Sequence, residues 1–71
     1  MNYKLILLRI ISENQLIGIH KLDRLFYDEV GFDTPWPPMM EELKKDGLVI
    51  HDAGYKITKK GLAYLGKSKP Q

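Results

Sequence analysis

Apolar residues recur at helical spacing over the first dozen positions of the chain. Tyr3, Ile6, Leu7, Ile10 and Ile11 fall on one face, with Asn2, Arg9, Ser12 and Glu13 opposite, which predicts a helix from Asn2 to Glu13. Leu8 widens the apolar face and Leu5 borders the polar one. A strand is the alternative, because so apolar a run is ambiguous by periodicity alone; its length favours the helix. The stripe is broader than a one-sided surface helix needs. Either several elements clasp this segment, or part of it meets another chain. Asn14-Gln15 would end it, with Asn tolerating a left-handed cap.

Leu16-Ile17-Gly18 reads as a minimal strand or an extended entry. A second helix follows from Ile19 or His20 to Val30, with Ile19, Leu22, Leu25 or Phe26, and Val30 inward and Lys21, Asp23, Arg24 and Asp28 in water. Gly31 suits its C-terminal cap, and Phe32 is placed to fold back on the last turn. In Asp33-Thr34-Pro35-Trp36-Pro37-Pro38 the residues before proline are pushed out of the helical region, so Thr34, Trp36 and Pro37 should be extended or turn-like. Proline is welcome at the first helical position, where its missing N–H has no partner to lose. A third helix therefore starts at Pro37 or Pro38 and runs through Asp46. Glu41 and Glu42 sit early in it and Lys44 and Lys45 late, as the helix dipole prefers. Met39 or Met40, with Leu43, faces inward, and Gly47 stops the helix.

Leu48 to His51 and Tyr55 to Ile57 are strand-like, joined by the hairpin connection Asp52-Ala53-Gly54. Thr58 caps a last helix, with Leu62 and Leu65 inward and Tyr64 partly covered. There is no repeat and no interdomain linker. One domain over residues 1–66 and a short polar tail over 67–71 account for the chain.

The order is helix, short strand, helix, turn, helix, hairpin, helix. The chain is α+β and mostly α: a three-helix core, a short β-hairpin wing and a C-terminal helix. It resembles the winged helix-turn-helix family. The resemblance is carried by Leu43-Lys44-Lys45-Asp46-Gly47-Leu48-Val49 and by Ile57-Thr58-Lys59-Lys60-Gly61, which is similar to the Leu-Thr-x-x-Gly that follows the wing in MarR- and PadR-like regulators. More loosely it covers about Leu5 to Leu65. It implies that the third helix enters the major groove of duplex DNA and that the wing touches the backbone or minor groove. The outward residues of the third helix would then be Pro37, Pro38, Glu41, Glu42, Lys44 and Lys45. Here the chain departs from the family. Two prolines donate nothing, two glutamates repel phosphate, and the wing tip carries Asp52 and no base. The resemblance also implies a homodimer through terminal helices, for which Leu5, Leu8, Tyr64 and Leu65 would form the seam; the same residues could instead close the monomer's own core.

Charge sharpens this picture. The 71 residues carry a net +2. Residues 1–35 hold four basic and five acidic side chains, whereas residues 36–71 hold seven lysines and four acids. Lys44, Lys45, Lys56, Lys59 and Lys60 are the candidate phosphate contacts, with Thr34 and Trp36 at the leading end of the third helix. Trp36, between Pro35 and Pro37, admits two readings. It plugs the gap between the second and third helices, as burial tendencies favour, or it presents an aromatic anchor, with Pro37, to a protein partner.

Other chemistry is sparse. With no cysteine there is neither a disulfide nor a thiolate metal site. His20 and His51 lie far apart without ligand spacing, so no metal or other cofactor is expected. Only Ser12 and Ser68 could serve as serine nucleophiles and there is no Gly-rich phosphate loop, so neither an enzyme nor a small-molecule substrate is expected. The runs Leu5–Leu8 and Ile10–Ile11 are too short to span a bilayer, and a cytoplasmic protein off the membrane is expected. Two functions remain open: a DNA-binding regulator, or a protein-interaction module built on Pro-Trp-Pro-Pro.

Overall fold

The computed structural model describes residues 2–67. It is an α+β chain, mostly helical, in the order α1 (Tyr3–Glu13), α2 (Ile19–Val30), α3 (Pro37–Lys45), β1 (Val49–Asp52), β2 (Gly54–Ile57) and α4 (Lys59–Lys67). The tail expected from residue 67 lies outside the described residues, apart from Lys67 at the end of α4.

Helix α1 is the centre of the molecule. Asn2 is extended and its side chain accepts the Leu5 N–H at 3.2 Å, satisfying one free amide of the first turn. Leu7, Leu8, Ile10 and Ile11 are buried, and α2, α3, α4 and β2 all pack on this helix. That explains the broad stripe. Leu8, which had only seemed to widen it, is fully buried, while Ile6 is half-buried. Asn14 closes the helix differently from expectation. Its φ is −135°, so the left-handed conformation is not used; its side chain donates to the Ile10 carbonyl at 2.8 Å instead.

Helix α2 buries Leu22 and Phe26. Ile19 was expected beside them but is 50% exposed. Side chains lean toward a helix's N-terminus, so one in the first turn projects past the packed face. Gly31 ends α2 at φ 86°, a conformation that L side chains with a Cβ rarely adopt. Helix α3 begins with Pro37 and Pro38 in its first two positions and buries Met40 and Leu43. Trp36 takes the turn-like of the two conformations expected before proline. It is right-handed helical (φ −83°, ψ −26°), and its carbonyl accepts the Met40 N–H at 2.9 Å. Its own packing, described below, overrides the local bias.

The hairpin pairs Val49 with Ile57, Ile50 with Lys56, His51 with Tyr55 and Asp52 with Gly54, with Ala53 at the apex. The expected short strand is present as Ile17, which exchanges two backbone hydrogen bonds with Tyr55 at 2.8 and 3.3 Å. The Gln15 side chain prolongs that edge by accepting the Ile57 N–H at 3.3 Å. β2 therefore lies between two partners.

Thr58 joins the hairpin to α4. Its hydroxyl donates to the Gly47 carbonyl at 2.7 Å and accepts the Gly61 N–H at 3.0 Å, and its own N–H donates to the Leu48 carbonyl. Gly61 and Leu65 set the packed face of α4. Leu62, expected inward, is 50% exposed, because it lies about 100° round the helix from Gly61. A Cβ on Gly61 would stand 2.3 Å from the Leu48 carbonyl oxygen and 2.6 Å from Ile57 Cγ1, whereas one on Gly66 would meet nothing within 4 Å. Gly61→Ala should therefore cost ~3 kcal/mol and lower Tm by about 15 °C. Gly66→Ala should raise stability by ~0.5 kcal/mol. Urea denaturation of the two variants checks both signs, and a neutral Gly61→Ala would disprove the close approach.

Candidate nucleic-acid interface

Five lysines nominated from the sequence leave the chain around one junction. Lys44 and Lys45 end α3, Lys59 and Lys60 open α4, and Lys56 lies on β2 just before Thr58. The bonds among Gly47, Leu48 and Thr58 hold these segments together. Lys60 lies over the end of α3, its Cδ 3.9 Å from where a Gly47 Cβ would stand. Lys56 sits on the outer face of the hairpin, opposite Ile50.

Ion pairing divides this group. Lys44 Nζ is 2.9 Å from the Glu41 carboxylate, and this hydrogen bond raises the lysine pKa above its ordinary value. Lys45, Lys56, Lys59 and Lys60 are exposed and make no ion pair among the described residues. Their charge is not spent on a neighbouring carboxylate.

The acidic start of α3 is neutralised in the same way. Lys4 of α1 reaches across to Glu42 at 2.9 Å, and its pKa too is raised by that hydrogen bond. Glu41 faces Lys44. The outward surface of α3 is therefore two closed ion pairs behind two prolines, with Lys45 alone of its charged side chains left outside them. Such exposed pairs add little stability, but they leave few donors for a base edge. Thr34 lies at the opposite end of α3 from the lysines and is half-buried, so the structure does not bring it to them. Arg9 is equally committed, to Glu29 of α2 and to Glu13, and its pKa is raised chiefly by the hydrogen bond to Glu29.

The residues nominated for protein contact fare differently. Trp36 is 4% exposed. Its ring stands edge-on to Tyr55 at 6.0 Å, and its Nε1–H donates to Asp23 Oδ1 at 2.9 Å. This burial goes against the anchor reading: the indole bridges Asp23 of α2 and Tyr55 of β2, with Pro35, Pro37 and Pro38 exposed beside it. The seam through the terminal helices is also reduced. Leu8 is fully buried and Leu65 nearly so, Leu5 is half-buried, and Tyr64 remains exposed.

Sequence reasoning missed Lys4 as the neutraliser of Glu42 and Asp23 as the indole's acceptor. These pairs lie 38 and 13 residues apart and leave no local signature. Among the described residues no helix is long and apolar enough to cross a membrane, and no three His, Asp or Glu side chains gather as metal ligands would. No protein family, curated protein or solved structure matches the chain.

Burial of Trp36 is open to direct test. Its fluorescence should be blue-shifted and shielded from iodide, and Trp36→Ala should cost about 4 kcal/mol. Free quenching, or a cost within about 0.5 kcal/mol, would restore the exposed anchor.

Proposed function

We propose that this chain is a small winged helix-turn-helix domain of the cytoplasm that binds duplex DNA through its phosphates. Four exposed lysines around the α3–β2–α4 junction, in no ion pair among the described residues, carry the reading. Phosphate contacts position a protein on DNA without reporting sequence. The readers of base edges are poor here: the first turn of α3 holds two prolines, and Glu41 and Glu42 are closed by lysines. Binding is thus electrostatic and tolerant of sequence, with the hairpin base and the start of α4 in contact rather than the leading end of α3. Loss of Trp36 as an anchor leaves the protein-interaction alternative without its central side chain.

Neutralising about four phosphates gives a slope of log K against log salt near −3.6, so affinity should fall about 100-fold between roughly 50 and 200 mM salt. Lys59→Gln and Lys60→Gln should each reduce the slope by about one, equally for duplexes of different sequence. Fluorescence anisotropy with a labelled duplex of about 20 base pairs measures this, a length of roughly two helical turns. No complex at the lower salt rejects the proposal. A slope unmoved by both substitutions rejects the site.

A further inference from the structure

The hairpin has one free edge. Tyr55 exchanges both of its backbone hydrogen bonds with Ile17, and Ile57 gives its N–H to the Gln15 side chain. Both residues therefore turn their polar groups away from β1. Bonded and open pairs alternate along an antiparallel ladder. Leu48 and Ile50 are thus the residues that bond toward the second strand, in line with the Thr58 N–H on the Leu48 carbonyl. Val49 and His51 aim their N–H and C=O the other way, where the sheet ends. An unpaired row of this kind is a template for a further strand. β1 is short, yet it carries neither proline nor lysine, the residues that commonly guard an edge, and its one carboxylate, Asp52, stands at the tip. At its middle is Ile50, 47% exposed and paired with the exposed Lys56 on the outer face.

We propose that this edge pairs with the same edge of a second copy of the chain, antiparallel and centred on Ile50. The spacing of the free groups selects that occupant. Val49 and His51 lie one residue either side of Ile50. A two-fold axis at Ile50 therefore sets Val49 of each copy against His51 of the other, and the outward N–H and C=O groups of both residues meet their complements. The same register lays the two Ile50 side chains directly opposite each other on one face, where β-branched pairs are favourable. It also sets each Asp52 across from the other copy's Leu48, just beyond the basic Lys44–Lys45 end of α3. Opposite charges approach, and no like charges face each other across the seam. The pairing uses neither α1 nor α4, so it differs from a dimer through the terminal helices. It does not depend on what the lysine junction binds.

Cysteine cross-linking reads this register, and the chain has no cysteine of its own. Opposite residues of an open pair stand about 4.5 Å apart at Cα, within disulfide reach. The two Asp52 positions would be roughly 14 Å apart. Ile50→Cys should therefore give a disulfide-linked dimer on oxidation, and Asp52→Cys should not. Sedimentation equilibrium from about 10 µM to about 1 mM measures the unaltered chain, a range suited to a small, reversible interface. Ile50→Glu sets two carboxylates against each other, and should weaken dimerisation about tenfold. Ile50 is on the outer face, so the helical circular dichroism should not change. A chain that stays monomeric to about 1 mM overturns the proposal and leaves the edge to a foreign strand. A dimer unmoved by Ile50→Glu overturns it as well, as does equal cross-linking through Asp52→Cys, and either result places the contact elsewhere.

Discussion

The architecture depends on the closure of Gly47 onto Thr58. Gly47 leaves α3 at φ 77°, turning the chain, and its carbonyl is taken by the Thr58 hydroxyl. The same hydroxyl receives the Gly61 N–H, so one side chain ends one helix and starts another. Leu48 is held from both sides, its N–H by Leu43 and its carbonyl by Thr58. The hairpin between these points cannot drift. Gly61 then lets α4 settle against Leu48 without a Cβ in the way. Every lysine in the proposed interface emerges beside this closure, and the geometry of the candidate site is set by it.

The aromatic residues perform a second closure, between α2 and the sheet. Asp23 holds the indole of Trp36, Trp36 meets Tyr55 edge-on, and His51 stacks on Tyr55 at 4.3 Å. Burying the indole draws its backbone into the helical region, and the two prolines follow as the first turn of α3. A leading turn of that kind has no backbone N–H to offer at either proline. The packing that fixes α3 in place thus also removes the donors a base-reading helix would present. That is why the phosphate-binding role passes, in the proposed reading, to the other end of the helix.

Much of the fold was legible because it rests on local chemistry. Gly31 and Gly47 at helix ends, prolines at the start of α3, Thr58 before α4 and the Asp52–Gly54 turn each act within a few residues, and each lies where the pattern put it. What escaped depended on distant partners. The partners that hold the Trp36 indole are Asp23 and Tyr55. The interior position of Leu8 follows from four elements packing round α1. Ile19 and Leu62 match an apolar stripe yet stay half in water, because the partner surface ends before it reaches them. In the candidate site, the lysines and their clustering were readable. Their division into paired and unpaired was not, since Lys4 finds Glu42 only after α1 docks on α3.

That division organises the whole surface. Three ion-paired cations, Lys4, Arg9 and Lys44, sit where helices meet or along a helix face, and neutralise the carboxylates of α1, α2 and α3 nearest them. Lys45, Lys56, Lys59 and Lys60 are left without an ion pair around the hairpin base, with Asp46 exposed beside them, and Lys21, Arg24, Asp28 and Asp33 are left so on or just after α2, all among the described residues. A net charge of +2 conceals how four unpaired lysines gather at one junction. Surface fields act over distances of about a Debye length, roughly 8 Å at physiological salt, so in the proposed reading a polyanion meets this local gathering of lysines and not the net charge.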